Sequence, residues 1–482
     1  MTRRTKILAT LGPSTDRPGV LESILEAGVN VVRINFSHGS EEEHLGRVKA
    51  VREWAQANST YVGVLMDLQG PKIRIASFKD GMKIELNNGD HFALDADKDN
   101  LLGDQESVGI AYKTLPQEVK PGNILILDDG KIVLEVSNVE GNKINTIVQQ
   151  GGILSDKKGI NLRGGGLSAN ALTEKDKKDI FTAAKAKADY VALSFPINGD
   201  DVRETKTLLT AAGSHAGVIS KIERAESLEE ATILDIINES AGIMVARGDL
   251  GVEIGDAQLP AQQKRLIKLA RSNDRIVVTA TQMLESMIEN PIPTRAEVFD
   301  VANAVLDGTD AVMLSAETAA GSYPSNAVAT MAEVCIEAEK NPIAKVSHHR
   351  LNETFNNVDE TIAMSAMYAA NHLGAGVVAA LTQTGKTAMW MSRISSNVSI
   401  YAMSDSVQTL RKVTLYRGVY PCGIEKESNT EWSDVNQRVV DTLTKKSVVK
   451  DGDLVVLTKG MYKDKSGGTN MMKILRVGDN NY

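Results

Sequence analysis

Two acidic residues and a lysine stand where two strand-length apolar runs end. One run, residues 217–223, ends with Lys221 and Glu223, and the other, residues 242–246, leads through an Arg-Gly pair to Asp249. If the two runs are neighbouring parallel strands, both acids lie at the same end of the sheet. Two carboxylates beside an ammonium group can bind Mg²⁺ and phosphate. For either run alone, a strand end with solvated charges explains the pattern equally well.

The elements that position these groups are predicted strands alternating with helices. Predicted strands occupy residues 6–12, 29–35, 61–66, 190–195, 217–223, 242–246, 275–281 and 311–317. Eight parallel strand–helix units close most naturally into a (β/α)₈ TIM barrel, whose chemistry lies at the carboxyl ends of its strands. Polar residues cluster in phase at those ends, which indicates a site because isolated buried polar groups are costly. They are Arg33, Asn35, Asp67, Lys221, Glu223, Asp249, Thr281 and Glu317.

The pattern changes between residues 71 and 166, where short alternating runs are separated by Asn/Asp/Gly turns. This is typical of antiparallel β structure and predicts an all-β domain inserted after the third barrel strand. Gly70-Pro71 and the three glycines at 164–166 bracket the insertion. Flexible junctions favour a hinged lid, with two ordinary linkers as the alternative.

A third segment follows the barrel and predicts an open α/β domain. Its strand-like runs are residues 377–381, 398–403, 419–424 and 454–457. The first run leads into residues 382–387, which lack the first glycine of a Walker P-loop but suit anion binding at a helix start. A Gly- and Lys-rich loop at 459–470 could close over it. The predicted boundaries are 1–70 and 167–345 for the barrel, 71–166 for the lid and 346–482 for the C-terminal domain.

The composition argues against several classes of protein. The 482 residues carry a formal charge of −8 with no basic stripe, so nucleic-acid binding is not expected. The two cysteines are far apart in sequence, which argues against a disulfide scaffold or a zinc site and suits a cytoplasmic protein. The start of the chain shows no signal sequence, and no apolar span approaches eighteen residues, so membrane insertion is not expected either.

Seven stretches in this order closely resemble the pyruvate kinase family, over essentially the whole chain. They are residues 6–13, 32–39, 219–223, 244–251, 279–287, 293–297 and 314–319. The resemblance implies a barrel, a β lid after the third strand and a C-terminal regulatory domain. It also implies phosphoryl transfer from phosphoenolpyruvate to ADP, giving pyruvate and ATP, and a homotetramer.

The resemblance assigns a role to each candidate residue. Glu223 and Asp249 would hold Mg²⁺, with Mn²⁺ as a substitute. Lys221 and Arg33 would bind the phosphoryl group, and N–H groups at Gly248 and Asp249 the substrate carboxylate. Thr281 would act near the enolate, as a relay through water because its hydroxyl is a weak acid. The residues implied for the nucleotide are Pro13, Asn35, His38, Arg74 and Lys158, while Ser315 and Glu317 would orient the site.

Structural roles are the alternative for several of these residues. Arg33 and Arg74 could form ion pairs, Thr281 could make only local hydrogen bonds, and His38 could simply start a helix. Two other functions are alternatives for the whole chain. One is a Mg²⁺-dependent lyase acting on phosphoenolpyruvate or a 2-oxo acid, which would lack the lid and Lys158. The other is an inactive sugar-phosphate sensor, which would have lost Lys221 or a metal-binding acid.

One segment departs from the K⁺-dependent members of the family. The monovalent-cation position corresponds to Asn35, Ser37, Asp67 and the carbonyl of Leu68. The family's glutamate after this segment is Lys72 here. An ammonium group there can supply the charge of the ion, so we expect activity without K⁺. The alternative is an exposed lysine at the lid junction.

The C-terminal domain matches the effector domain of the family. A phosphorylated activator, either a sugar phosphate or AMP, is expected at the 382–387 loop. The residues concerned are Thr382, Thr384, Gly385, Lys386 and Thr387.

Overall fold

The computed structural model describes residues 2–71, 73–345, 354–355, 357–424, 432–460 and 468–479. Lys72 and residues 461–467, part of the expected closing loop, lie outside this set. The first barrel elements alternate as the sequence predicts, because apolar runs end at glycine or polar residues. They are β1 (Lys6–Thr10), α1 (Val20–Glu26), β2 (Val31–Asn35), α2 (Glu41–Ala57) and β3 (Gly63–Asp67).

The inserted segment forms two small sheets around its own apolar core. Its elements are β4 (Ile84–Leu86), β5 (His91–Asp95), β6 (Ser107–Gly109), α3 (Leu115–Glu118), β7 (Ile124–Leu127), β8 (Ile132–Glu140), β9 (Lys143–Gln150), β10 (Gly152–Leu154) and β11 (Ile160–Leu162). One sheet has the order β11-β7-β8-β9-β5-β6, and the other pairs β10 with β4. The strand pairs of the lid are antiparallel, as the alternating runs predict, except that β5 and β6 are parallel and a parallel bridge joins Phe78 to Gly103.

The chain then returns to the barrel. The elements are α4 (Glu174–Lys185), β12 (Tyr190–Leu193), α5 (Gly199–Ala211), β13 (Gly217–Ile222), α6 (Glu230–Glu239), β14 (Gly242–Ala246), α7 (Arg247–Ile254), α8 (Leu259–Ser272), β15 (Ile276–Ala280), α9 (Arg295–Asp307), β16 (Ala311–Leu314), α10 (Ala316–Ala319) and α11 (Pro324–Ala338). The closed barrel has the order β1-β16-β15-β14-β13-β12-β3-β2, with parallel neighbours, which confirms the predicted barrel.

Two polar residues expected at strand ends lie just inside helices instead. β16 stops at Leu314, so Glu317 belongs to α10, and Asp249 lies in the first turn of α7. In both cases the helix begins almost directly after the strand. The side chains therefore still lie at the carboxyl end of the barrel.

The C-terminal domain is an open sheet of order β19-β18-β17-β20-β21. Its elements are α12 (Val358–Leu373), β17 (Val377–Leu381), α13 (Lys386–Ser392), β18 (Ser399–Ser404), α14 (Val407–Lys412), β19 (Val419–Gly423), α15 (Trp432–Lys445), β20 (Leu454–Gly460) and β21 (Thr469–Arg476). β21, an antiparallel edge strand, was not predicted, and both ends of the loop expected at 459–470 belong to strands β20 and β21. None of the helices in the described residues combines the length and apolar character needed to cross a bilayer.

Candidate active site

Glu223 is a deeply buried acid at the carboxyl end of the barrel. It follows β13 and is 1% exposed. Its Oε2 accepts a hydrogen bond of 2.8 Å from the N–H of Phe195, which has a left-handed φ of 54°. Its Oε1 lies 2.8 Å from Lys221 Nζ, but the direction of approach is not that of a hydrogen bond. Among the described residues this buried oxygen therefore has no hydrogen-bond donor.

Lys221 reaches from β13 into a ring of oxygen atoms. Its Nζ donates to Ser194 Oγ at 2.8 Å and lies 3.6 Å from Asp67 Oδ1. Burial lowers the pKa of Lys221, but the carboxylates of Asp67 and Glu223 more than offset it, so the net pKa is raised. Lys221 therefore keeps its charge at neutral pH.

Arg33 on β2 completes this charged group. Its Nε donates to Asp67 Oδ2 at 2.7 Å, and its Nη1 donates to Thr10 Oγ1 at 3.2 Å. Burial raises the pKa of Asp67, but Lys221 and Arg33 outweigh this and lower it overall. Asp67 thus stays ionised and fixes both cations at the floor of the site.

The second acid, Asp249, interacts with Glu223 electrostatically. Burial first, and then Asp249, raise the pKa of Glu223 to about 7 against the opposing effect of Lys221. A cation bound at Glu223 would lower this pKa again, because positive charge stabilises the ionised carboxylate. No group of three or more His, Cys, Asp or Glu in the described residues could hold a metal. Two carboxylates fit Mg²⁺, which fills its other positions with substrate oxygens and water.

Thr281 follows β15 in a strained left-handed conformation, with φ 66°. Its Oγ1 accepts from the N–H of Gly248 at 2.9 Å and donates to the carbonyl of Ala280 at 2.7 Å. The N–H of Gly248, which is expected to bind the substrate carboxylate, is thus hydrogen-bonded to the hydroxyl of Thr281, which is expected to act near the enolate. The two assignments share one hydrogen bond in this structure, and both remain predictions.

A cavity of about 520 Å³ lies between the barrel end and the lid. It brings together ten of the predicted residues: Arg33, Asn35, Ser37, Leu68, Arg74, Lys158, Lys221, Glu223, Asp249 and Thr281. Ser315 also lines it, while Pro13 and His38 are exposed and lie outside the lining. Glu317 is buried and accepts from the N–H groups of Leu284 and Ser315, at 3.2 and 2.6 Å, which suits an orienting role.

The lid supplies the opposite wall of the cavity. Arg74, near the start of the lid segment, forms an isolated β-bridge with Gly159, near its end. The two ends of the segment therefore meet beside Arg74. Lys158 Nζ forms an ion pair of 2.8 Å with Asp128 Oδ1. Lys158 is therefore near the cavity but paired within the lid, and binding an anion would require it to share or leave Asp128.

The oxygens expected at the monovalent-cation position already accept hydrogen bonds. Asn35 Oδ1 accepts from the N–H of Ser37 at 3.0 Å, and the carbonyl of Leu68 accepts from Ser194 Oγ at 2.7 Å. Both oxygens of Asp67 face cations. Lys72 lies outside the described residues.

Several residues of the site were missed in the sequence. Ser194 joins Lys221 to Leu68, and it follows β12 in the same way that the predicted polar residues follow their strands. Arg247, 6% exposed, donates from Nη2 to the carbonyl of Thr281 and from Nη1 to both carboxylate oxygens of Asp300. Glu253, one turn after Asp249, lines the cavity, and burial raises its pKa to about 7.

The candidate effector loop lies between β17 and α13. Gly385, with φ 83°, caps α13, and its N–H donates to Thr382 Oγ1 at 2.9 Å. Lys386 Nζ lies 4.6 Å from the centroid of the Trp390 ring. Thr387 is buried against Thr469, whereas Thr384 Oγ1 accepts from the N–H of Lys386 at 3.4 Å. The loop is thus preformed by its own threonines.

Two known protein families match most of this chain. The family described as "Pyruvate kinase, barrel domain" matches residues 2–328, and "Pyruvate kinase, alpha/beta domain" matches residues 360–475. The chain belongs to the pyruvate kinase family. It is therefore a phosphotransferase with pyruvate kinase function.

Similar proteins extend this result over nearly the full length. The chain is 55% identical to "Pyruvate kinase" of Haemophilus influenzae, covering 95% of this chain and 96% of that one. It is also 55% identical to "Pyruvate kinase II" of Salmonella typhimurium, covering 98% and 99%. A crystal structure of a pyruvate kinase from Cryptosporidium parvum matches with a TM-score of 0.91 at 34% identity, covering 98% and 96%. The pyruvate kinase fold thus extends across barrel, lid and C-terminal domain.

Proposed function

We propose that this chain transfers the phosphoryl group of phosphoenolpyruvate to ADP with the help of Mg²⁺, and then protonates enolpyruvate to pyruvate. The observation that carries the proposal is the cavity wall on which the two acids Glu223 and Asp249 lie beside Lys221 and Arg33, with Lys221 Nζ 2.8 Å from Glu223 Oε1. Two acids and two cations at one end of a barrel can hold a divalent cation and a phosphate group.

Glu223 and Asp249 are the proposed ligands of Mg²⁺, and Mn²⁺ fits the same oxygens. When bound, the cation neutralises negative charge on the phosphate and pyruvate oxygens. The chain itself supplies the remaining positive charge. Lys221, held by Asp67 and Ser194, faces the transferring group without needing to reorganise, and Arg33 offers a fork of donors to phosphate oxygens.

The nucleotide is proposed to enter from the lid side of the cavity. Arg74 and Lys158 would bind its phosphates, and Asn35 lies at the end of the adjoining strand β2. His38 and Pro13 are exposed at the same end of the barrel, outside the cavity lining, and would meet outer parts of the nucleotide.

Protonation of the enolate is assigned to the Thr281 side of the site. The strained Thr281 hydroxyl already donates to a carbonyl and accepts from Gly248, so it is suited to orienting a water rather than giving up its own proton. N–H groups at Gly248 and Asp249, in the first turn of α7, are proposed for the carboxylate of the substrate.

Activity is proposed to be independent of K⁺. The oxygens of Asn35, Asp67 and Leu68 that would hold the ion are engaged by donors within the chain. Lys72 is proposed to supply the missing charge.

Regulation and assembly are proposed from the C-terminal domain and the surface. A sugar phosphate or AMP would bind at residues 382–387. A homotetramer is supported by exposed apolar side chains, among them Ile292 and Phe299 on the barrel and Met472 and Ile474 on the C-terminal domain, which subunit contacts would bury. A cytoplasmic location is supported by free, buried Cys335 and Cys422.

The test is pyruvate formation from phosphoenolpyruvate and ADP, measured for wild type, Lys221→Met and the exposed control Lys206→Met. We expect turnover that needs Mg²⁺ but not K⁺ at constant ionic strength. Losing a preorganised charge should reduce the rate of Lys221→Met on the order of 10² to 10³. A requirement for K⁺ would overturn the role of Lys72 alone. No pyruvate even with K⁺ and sugar phosphates present would favour a sensor.

A further inference from the structure

The first turn of α4 contacts the loop that carries the proposed nucleotide residues. Lys175 Nζ donates to the carbonyl of Phe36 at 2.7 Å and to Asp179 Oδ2 at 2.6 Å. The ammonium group also lies 5.8 Å from the centroid of the Phe36 ring. Lys175 thus contacts both the backbone carbonyl and the ring of Phe36.

Phe36 separates two residues that line the 520 Å³ cavity, Asn35 and Ser37. Its N–H donates to the carbonyl of Asp67 at 3.0 Å, and its ring meets His44 edge-on with centroids 5.1 Å apart. Phe36 is therefore fixed at three points: its N–H, its ring and, through Lys175, its carbonyl. The peptide that leads from Phe36 to Ser37 has its orientation set by the last of these.

Lys175 does not itself reach the cavity between barrel and lid. It lines a separate cavity of about 390 Å³ on the outside of the loop, together with Phe36 and His44. A substrate in the main site would therefore meet Asn35 and Ser37 but not the lysine. Any effect of Lys175 on binding has to pass through the Phe36 carbonyl.

The start of α4 is itself rigid. Thr173 and Asp176 form a capping box, and Asp176 Oδ1 also accepts from the N–H of Gly70 at 3.1 Å. The turn that presents Lys175 is therefore fastened to the point where the chain leaves for the lid. This gives the lysine a fixed base from which to hold the loop.

We propose that Lys175 is a positioning residue for ADP: it holds the Phe36 carbonyl and so fixes Asn35 and Ser37 against the nucleotide. The proposal rests on the proposed function, which places ADP beside this loop. It excludes Lys175 from direct contact with substrate. Because its side chain is 50% exposed, its contribution is that of a single solvent-accessible hydrogen bond.

The experiment compares Lys175→Met, Lys175→Arg and Lys177→Met in the full chain. Lys177 lies on the same turn and pairs with Glu174, so its variant makes the same charge change without touching the loop. We expect Lys175→Met to raise the KM for ADP about 3- to 10-fold. The KM for phosphoenolpyruvate and the melting temperature should stay unchanged. Arginine should restore most of the loss, and Lys177→Met should behave as wild type.

Two results would overturn the proposal: an unchanged KM for ADP, or equal changes for both substrates with a lower melting temperature. The second would indicate a purely structural lysine. If wild type makes no pyruvate, the proposed function fails separately. The positioning role is then decided by ADP affinity, measured by calorimetry on the same three variants.

Discussion

The two ends of the barrel both bury ionised side chains, yet they satisfy them differently. At the amino end, the carboxylate of Asp310, which precedes β16, accepts hydrogen bonds from both terminal nitrogens of Arg393. The Arg393 side chain is 0% exposed. Its oxygens also accept the N–H groups of Val277 and Arg417, at 3.0 and 3.1 Å. Arg393 and Arg417 come from the C-terminal domain, so this cluster fastens that domain to the barrel.

Glu339 at the same end is equally satisfied. Its Oε1 accepts from the N–H and the hydroxyl of Thr5, at 2.6 and 2.7 Å, and its Oε2 accepts from the N–H of Arg4 at 2.9 Å. Burial raises the pKa of Glu339, but Arg417 and these donors lower it overall. Glu223 at the carboxyl end has one oxygen without a donor and a raised pKa. The contrast teaches that the carboxylates of Asp310 and Glu339 serve to join the C-terminal domain to the barrel, whereas the carboxylate of Glu223 faces a cavity that is open to a ligand.

The largest expected effect is a loss of activity when Glu223 is replaced, which we do not expect when Glu339 is replaced. Glu223→Gln removes a proposed metal ligand, and we expect the rate to fall on the order of 10³ or more. Stability should hold or rise, because a buried charge disappears while Lys221 keeps Asp67 and Ser194 as partners. Turnover and thermal melting of the apo protein measure both. A drop in melting temperature as large as that of the next variant would break the comparison.

Glu339→Gln is the matched change at the other end. Removing its charge leaves buried donors at Arg4, Thr5 and Arg417 without a carboxylate, and we expect a loss of about 3 kcal/mol in stability. Since no substrate group lies there, kcat at a temperature well below melting should stay within about twofold. Denaturant unfolding and steady-state kinetics test this. A variant that melts normally but loses activity would show that the amino end takes part in function.

A smaller effect concerns the lysine at the amino end, Lys6. Its Nζ donates to the carbonyl of Val419 at 2.5 Å and faces the Tyr420 ring. Burial first, and then Arg3, lower its pKa from 10.5 to about 7, although Glu339 and Asp310 oppose them. Between these two values the unfolded chain binds the extra proton, so Lys6 makes stability rise with pH over that interval.

Lys6→Met should remove this dependence. We expect the variant to gain stability relative to wild type near pH 6 and to lose that advantage towards pH 10, where Lys6 is neutral in the folded state. Melting temperatures of both proteins across this range give the measurement. Parallel curves would show that Lys6 keeps its charge when buried, as Lys221 does.

The barrel was predictable because its strands are continuous apolar runs that end in polar residues at the same register. β21 was missed for the opposite reason: its buried residues include polar Thr469, and its exposed residues include both polar Asn470 and apolar Ile474, so neither an apolar run nor a clear alternation marks it. The parallel pairing of β5 with β6 could not be predicted, because alternation of apolar and polar residues within a strand does not show which strands become neighbours. The domain boundaries remain predictions.

For the site, the sequence identified the residue types at strand ends but not their partners. Arg247 and Asp300 are 53 positions apart, and nothing local links them. Ser194 follows its strand as Glu223 follows β13, but a lone serine carries too little chemistry to stand out. The contact of Glu223 Oε1 with Lys221 Nζ, and the raised pKa of Glu223, depend on burial and distances that only three-dimensional coordinates contain.

The insertion of the lid has a consequence for how the chain folds. It leaves the barrel after β3, ends before α4, and has its own core of residues such as Phe78, Phe92 and Leu134. To the barrel it is one long connection, and closure entropy grows only with the logarithm of length. Extending a connection from a few residues to roughly a hundred costs about 2–3 kcal/mol. The barrel can therefore form around an unfolded insert, and the lid can acquire its own structure at a later stage.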